Sequence, residues 1–262
     1  MNYTKLQGII KNKDGIIEGA LIRDKATNTD IKVKCKAIIN ASGFAADTVR
    51  RMDDPFAKTR IVHARGSHVV LDRSFCPRDY GVLLPSTSDG RVMFILPWMS
   101  GTMVGTTDDM IKEGVLHPVP ESSDLNWIMT ELSDFYPKLK ELNTNDLIKS
   151  NWSGIRPLVL DDAAQNDPSI MTKTGELREN IKTSKLSRLH VLERSKSGLI
   201  SIMGGKWTIF RKMGEDAVNS ALDHIKEHKL KKDLTPDQFE AIRKRSTYYL
   251  PLMGDYRVRT VS

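Results

Sequence analysis

The sequence predicts a mixed α/β (α+β) fold, with parallel strands backed by helices in one part and an antiparallel sheet in another. Two strand–glycine–helix junctions carry the first half of that reading. Residues 37–41 form an apolar run that ends in Ser42-Gly43, and residues 199–203 form another that ends in Gly204-Gly205-Lys206-Trp207-Thr208. Junctions of this kind line ligand crevices at the carboxyl ends of parallel strands. The second half rests on residues 61–109, a series of short apolar runs without helical period, as expected of antiparallel strands.

Taken in order, residues 6–10 and 16–22 are strand-like and are separated by the turn signal Asn12-Lys13-Asp14-Gly15. Asn28-Thr29-Asp30 offers a second turn, and residues 31–36 alternate lysine with apolar residues or cysteine, so one face is expected to be wet. Residues 37–41 are continuous enough for a buried parallel strand. A short helix is expected over 47–52. Strands follow at 61–63, 68–71, 81–84, 91–98 and 102–106, with Ser88-Asp89-Gly90 as a hairpin turn.

Residues 121–148 are expected to be mostly helical, since Leu125, Ile128, Met129 and Leu132 share one face. The polar, turn-rich stretch 161–185 predicts a mobile loop. Strand character returns at 191–192 and 199–203. A helix over 210–225 then sets Phe210, Met213, Ala217, Ala221, Leu222 and Ile225 on one face.

The chain has 262 residues, 39% hydrophobic and 28% charged, enough for a sizeable core and one or two domains. Its net charge of +7 suits an anionic substrate or surface. The lysines are scattered, and no zinc-finger spacing or basic-aromatic stripe accompanies them, which argues against nucleic acid. Two cysteines, Cys35 and Cys76, make neither a disulfide framework nor a metal cluster, so no metal is expected.

The Gly204–Thr208 stretch is the strongest candidate for a ligand cradle. Glycine lets backbone approach a ligand, the following helix start offers free N–H groups, and Lys206 adds a cation. Arg156 precedes Pro157, which favours an extended backbone and a defined direction for the guanidinium. It suits a phosphate or carboxylate, and an ordinary salt bridge is the competing reading. Arg188, near His190, carries a weaker version of the same signal. His68 opens an apolar strand and has the chemistry to exchange protons, with a merely structural histidine as the alternative. Asp108-Asp109 reads as a loop or cap rather than as a catalytic pair.

Seven motifs occur in order: Asn40-Ala41-Ser42-Gly43, Arg65-Gly66-Ser67-His68, Leu96-Pro97-Trp98, Gly105-Thr106-Thr107-Asp108, Ser153-Gly154-Ile155-Arg156-Pro157-Leu158, Ser187-Arg188-Leu189-His190 and Gly204-Gly205-Lys206-Trp207-Thr208. The set resembles FAD-dependent glycerol-3-phosphate dehydrogenase, the mitochondrial type in particular, from about residue 5 to residue 228.

The resemblance implies a partial glutathione-reductase-like FAD domain with an antiparallel-sheet substrate domain. It divides the chain into a partial FAD-binding domain (1–55), a substrate domain (56–150), a substrate-pocket segment returning to the FAD domain (151–228) and the start of a C-terminal helical region (229–262). It implies FAD as cofactor, oxidation of sn-glycerol 3-phosphate to dihydroxyacetone phosphate with hydride passing to the flavin, and ubiquinone as electron acceptor. Peripheral membrane association and the mitochondrial inner membrane come from it too.

Carried over residue by residue, it implies that Ala41, Ser42, Gly43, Gly204, Gly205, Lys206, Trp207 and Thr208 contact the cofactor. It likewise implies that Arg156, Arg188, Lys206 and His68 meet the substrate, with His68, Arg156 and Lys206 catalytic. Ser42 stands where the family commonly has Thr, and Phe44 where Pro is common. The family's G-x-G-x-x-G loop, which holds the pyrophosphate, is not found in these 262 residues. Most of the C-terminal domain is expected to be missing as well, with residues 250–255 as its first trace. The expectation is therefore weak flavin binding and little turnover for this chain alone. Two alternatives are an amine or amino-acid oxidase of the same superfamily and a non-catalytic interaction module.

Overall fold

The computed structural model describes residues 1–250 except 78, 143, 175, 176, 179, 180, 182, 184, 185, 229, 231–234, 244–246 and 249. The expected trace of a C-terminal domain at 250–255 lies almost wholly outside these residues. The chain divides into two compact units, one made of Met1–Arg60 with the described residues from Ser187 onward, the other of Ile61–Leu186.

The first unit opens with a three-stranded antiparallel meander, β1 (Thr4–Lys11), β2 (Ile17–Asp24) and β3 (Thr29–Lys34). The Asn12 side chain accepts from the Asp14 and Ile16 amides and so shapes the first turn. Every residue of β3 is exposed, including the apolar Ile31 and Val33 of its alternating run. β4 (Ile38–Asn40) is followed by a single 3-10 turn at Gly43–Ala45 and by α1 (Ala46–Asp53).

The second unit is built on a six-stranded antiparallel sheet. Its strands are β5 (Ile61–Asp72), β6 (Val82–Leu84), β7 (Met93–Trp98), β8 (Gly101–Gly105), β9 (Asp109–Ile111) and β10 (Ser150–Val159), in the order β10-β5-β8-β7-β6 with β9 also pairing β5. The runs at 61–63 and 68–71 are one strand. The polar and glycine-containing residues between them belong to β5, hydrogen-bonded to β10 along its full length. That same pairing carries the unit past residue 150. β10 holds both Gly154 and Pro157, and its edge position explains why a proline is tolerated there.

Successive residues of a strand point to opposite faces, and β5 uses both. On one face Val69 and Leu71 pack with Val104, Met93 and Ile95 against Ile128 and Leu132 of α2 (Ser122–Phe135). The expected helix over 121–148 is broken: α2 ends at Phe135, and α3 (Thr144–Leu147) is a separate short turn. Pro137, at the start of a 3-10 turn, has no N–H to continue the ladder.

On the other face Val62 and Ala64 are covered by Leu160, Ile170, Met171, Ile181 and Leu186, together with Ala164 of α4 (Asp162–Asn166). The stretch 161–185 is expected to be a mobile loop from its polarity; among its described residues, Ala164, Ile170, Met171 and Ile181 are instead buried against β5. Among the described residues this apolar cover reaches Ala64, and Gly66 and His68 are the next residues on that face.

The chain re-enters the first unit as β11 (His190–Arg194) and β12 (Leu199–Gly204), and β12 lies antiparallel to β11 and parallel to β4. Five consecutive residues of β12, Leu199, Ile200, Ser201, Ile202 and Met203, are buried, so both of its faces are covered. A 3-10 turn at Trp207–Ile209 leads into α5 (Phe210–Glu227), which packs Ala217, Ala221 and Leu222 inward, and α6 (Pro236–Arg243) follows. An ionic group ties this unit together. Arg50 pairs with Asp47 at 2.6 Å and with Glu193 at 2.7 Å, and Arg60 takes the other oxygen of Glu193 at 3.0 Å.

Candidate active site

Because β4 and β12 are parallel neighbours, with Ser201 opposite Asn40, their carboxyl ends open in the same direction. Ala41-Ser42-Gly43 and Gly204–Thr208 therefore share one end of one sheet. Asn40 joins the two strands. Its Nδ2 donates to the Ala46 carbonyl at 3.0 Å and to Ser201 Oγ at 3.1 Å, while its Oδ1 accepts from Ser42 Oγ at 2.6 Å. Asn40 belongs to one of the sequence motifs, but its role as the link is visible only once β4 and β12 are paired.

Gly43, Gly204 and Gly205 have φ of 60°, 70° and 81°, a backbone region that disfavours side chains. A Cβ on Gly205 would stand 2.7 Å from Met213 Sδ and 3.1 Å from His190 Cβ, so this backbone is bare by necessity. Lys206 caps the 3-10 turn with extended backbone and an exposed side chain. Trp207 is 88% exposed and stacks on Phe210, with ring centroids 6.1 Å apart. Bare glycine backbone and an exposed aromatic ring fit a flat, conjugated cofactor. Arg188 is exposed and lies two residues before the first residue of β11; His190 pairs with Gly204, so Arg188 and Lys206 lie at the same end of the β11–β12 pair. His190 itself is turned to Asp216, 3.0 Å away.

In the second unit, His68 and Arg156 occupy the uncovered part of one sheet face. His68 is half-buried. Its ring lies against Gly105 of β8, where a Cβ would stand 2.5 Å from Cδ2, and it stacks on Trp152 at 5.4 Å. Trp98 lies 6.3 Å from Trp152 and extends the aromatic wall. Burial, and then the nearby Arg156 charge, push the His68 pKa below its ordinary value and keep the ring neutral. Among the described residues, its buried Nδ1 has no hydrogen-bond partner.

The Arg156 guanidinium donates to the Thr107 carbonyl at 3.0 Å, to Thr106 Oγ1 at 2.9 Å and to Asp108 at 3.2 Å. Asp108 is steadied in turn by Thr183 Oγ1 at 2.8 Å. Asp108 is thus a partner that bridges Arg156 and Thr183. The salt bridge expected as the ordinary role of such an arginine is present, and it fixes the guanidinium on the site face. Trp152 escaped the sequence reading, although a register that pairs it with His68 would have found it. The four predicted substrate-binding residues therefore fall into two pairs, His68 with Arg156 in one unit and Arg188 with Lys206 in the other.

A family model described as FAD dependent oxidoreductase matches residues 1–211. The chain belongs to this family. Within it, the resemblance to glycerol-3-phosphate dehydrogenase is borne out. The chain is 38% identical over 235 residues to the mitochondrial glycerol-3-phosphate dehydrogenase of Mesocricetus auratus, covering 88% of this chain and 29% of that protein. It is 36% identical over 247 residues to the mitochondrial enzyme of Schizosaccharomyces pombe, covering 91% of this chain and 36% of that one.

A solved glycerol-3-phosphate dehydrogenase from Bacillus halodurans, complexed with FAD, superimposes with a TM-score of 0.68 at 29% identity, over 86% of this chain and 39% of that one. The chain thus spans about a third of the length of the relatives it matches. The family uses FAD, and the mixed α/β architecture with antiparallel sheets is the family's fold.

Proposed function

We propose that this chain forms part of an enzyme that oxidises sn-glycerol 3-phosphate to dihydroxyacetone phosphate and passes the electrons to a quinone. FAD, when bound, supplies the hydride-accepting chemistry. We assign its contacts to Ala41, Ser42, Gly43, Gly204, Gly205, Lys206, Trp207 and Thr208. His68, Arg156, Arg188 and Lys206 are our candidates for substrate contact. A phosphate dianion favours guanidinium and ammonium donors, and Arg156 is already held in one orientation by three acceptors.

A neutral imidazole can accept the proton that an alcohol releases on oxidation, and arginine cannot. His68 therefore takes the proton-handling role and Arg156 the binding one. The observation that carries this reading is the pairing of a neutral His68 with a fixed Arg156 on one open sheet face, in a chain whose relatives are named for this reaction.

No helix among the described residues is long and apolar enough to cross a membrane. We propose peripheral attachment at the mitochondrial inner membrane, supported by the +7 charge and by the mitochondrial relatives.

The test is a substrate panel on the native gene product, with a ubiquinone analogue as acceptor. Reduction is expected with sn-glycerol 3-phosphate and not with glycerol. Turnover of amino acids in place of the phosphate ester would replace this reading with that of an amine oxidase.

A further inference from the structure

Arg156 lies where a side chain on the neighbouring strand ought to be. β10 and β5 pair Gly154 with Gly66, and Arg156 sits two residues along from Gly154 on the same face. A Cβ built on Gly66 would overlap the guanidinium itself, meeting both terminal nitrogens and Cζ. Gly154, its direct cross-strand partner, is different: a Cβ there has nothing within 4 Å. Neither glycine has the positive φ that would demand glycine for backbone reasons. Gly66 is buried on the inner strand β5 and Gly154 exposed on the edge strand β10, and only above Gly66 does a side chain lie.

We infer that Gly66 is a positioning residue: its missing Cβ opens a shallow well in the sheet in which the Arg156 guanidinium lies against the backbone, within reach of Thr106, Thr107 and Asp108. The inference rests on the proposed role of Arg156 in substrate binding and extends it to a residue with no functional group.

The physical argument is a contrast of costs. The atoms that a Gly66 methyl would strike are the far end of a flexible side chain, which can swing aside without moving the strand. Folding should therefore survive Gly66→Ala, and Ala is even favoured over Gly within a strand by backbone entropy. What does not survive is the geometry. A displaced guanidinium gives up its three acceptors together, and a cation free to wander binds an anion less well than one already held in place. The position of a binding charge is thus set by an absent atom on the next strand.

The experiment uses the 262-residue chain and three variants: Gly66→Ala, Gly154→Ala and Arg156→Gln. Each is titrated with sn-glycerol 3-phosphate, and in each the His68 ring is titrated with pH by NMR. The expected result is about tenfold weaker binding in Gly66→Ala, with its unfolding midpoint kept, and no change in Gly154→Ala. The His68 titration needs no substrate. Gly66→Ala and Arg156→Gln should both move it, since the Arg156 charge acts on that ring, whereas Gly154→Ala should not.

Unchanged binding and an unchanged His68 titration in Gly66→Ala, beside a clear effect of Arg156→Gln, would overturn the well and leave the proposed function intact. Unchanged binding in Arg156→Gln would overturn the proposed function instead. If the wild-type chain shows no measurable binding, the His68 titration alone decides between a Gly66 that places Arg156 and one that does not.

Discussion

The imidazole of His68 lies almost parallel to the indole of Trp152, with the planes 12° apart and the ring centroids 5.4 Å apart. The two residues are direct cross-strand partners on β5 and β10. The indole shields the imidazole from water, and loss of water disfavours the charged form. Burial is the leading cause of the low His68 pKa and the Arg156 charge the second. Trp152→Ala should therefore raise the His68 pKa toward 6.5, the ordinary histidine value, and Arg156→Gln should raise it through the charge alone. NMR titration of the ring protons separates the two, and an unmoved titration in both variants would contradict the assignment.

The same shift has a sign in stability. A histidine that protonates more readily unfolded than folded favours the native state at higher pH. His68 contributes fully above about pH 6.5 and loses that contribution as pH falls from there through its lower native pKa. Denaturation midpoints of the wild type should fall more steeply across that window than those of His68→Phe.

A third prediction concerns the support beneath the site. Asp124, at the start of α2, is buried and accepts from the Glu121 amide at 2.8 Å and from Ser67 Oγ at 3.0 Å, and it lies 2.9 Å from Arg65 Nε. Arg65 also pairs with Glu121. Burial opposes ionisation of Asp124, yet these partners outweigh it and hold its pKa low. Asp124→Ala leaves Arg65 with Glu121 as its remaining carboxylate and the Glu121 amide without its acceptor, and is expected to cost about 1–3 kcal/mol in urea unfolding. Asp30→Asn breaks the exposed Arg23–Asp30 pair of the meander and should leave the midpoint unmoved.

How far the sequence reveals this molecule depends on the range of the interaction that decides each element. The meander, β4, β12 and α5 follow from local turns and periodicity, because Asn12, the apolar run 199–203 and the α5 stripe act within a few residues. β10 did not, because Gly154 and Pro157 oppose a strand locally and only pairing with β5 makes one. Within 161–185, the burial of Ile170, Met171 and Ile181 against Val62 and Ala64 is not legible, because a few apolar residues among polar ones leave no period to read. In the site, the motif residues His68 and Arg156 were legible. Trp152, the Asp108–Thr183 brace and the Gly66 well were not, since each depends on strand register.

The glycine junctions allow a graded prediction. Gly43 and Gly205 both have positive φ, but only Gly205 is crowded. Gly43→Ala should cost about 1–2 kcal/mol, the strain of a side chain in the left-handed region. Gly205→Ala carries that strain and also drives a methyl into Met213 and the His190 Cβ, so its unfolding midpoint should fall further. Equal midpoints for the two variants would show that the crowding around Gly205 relaxes freely.

The last prediction concerns the flavin. The junctions at the ends of β4 and β12 present bare backbone and the exposed Trp207 ring, which the proposed function assigns to the flat part of the cofactor. The pyrophosphate of a dinucleotide is held differently, by a glycine-rich turn whose amides point at it from a helix start. That G-x-G-x-x-G pattern is not found in the 262 residues. Ring contacts without pyrophosphate contacts should give weak, reversible binding. The purified chain is expected to lose flavin on gel filtration and to show little of its visible absorbance. Added FAD should still quench tryptophan emission at high concentration, and Trp207→Leu should abolish most of that quenching. A stoichiometric yellow complex that survives gel filtration would show that the pyrophosphate is gripped by other residues of this chain.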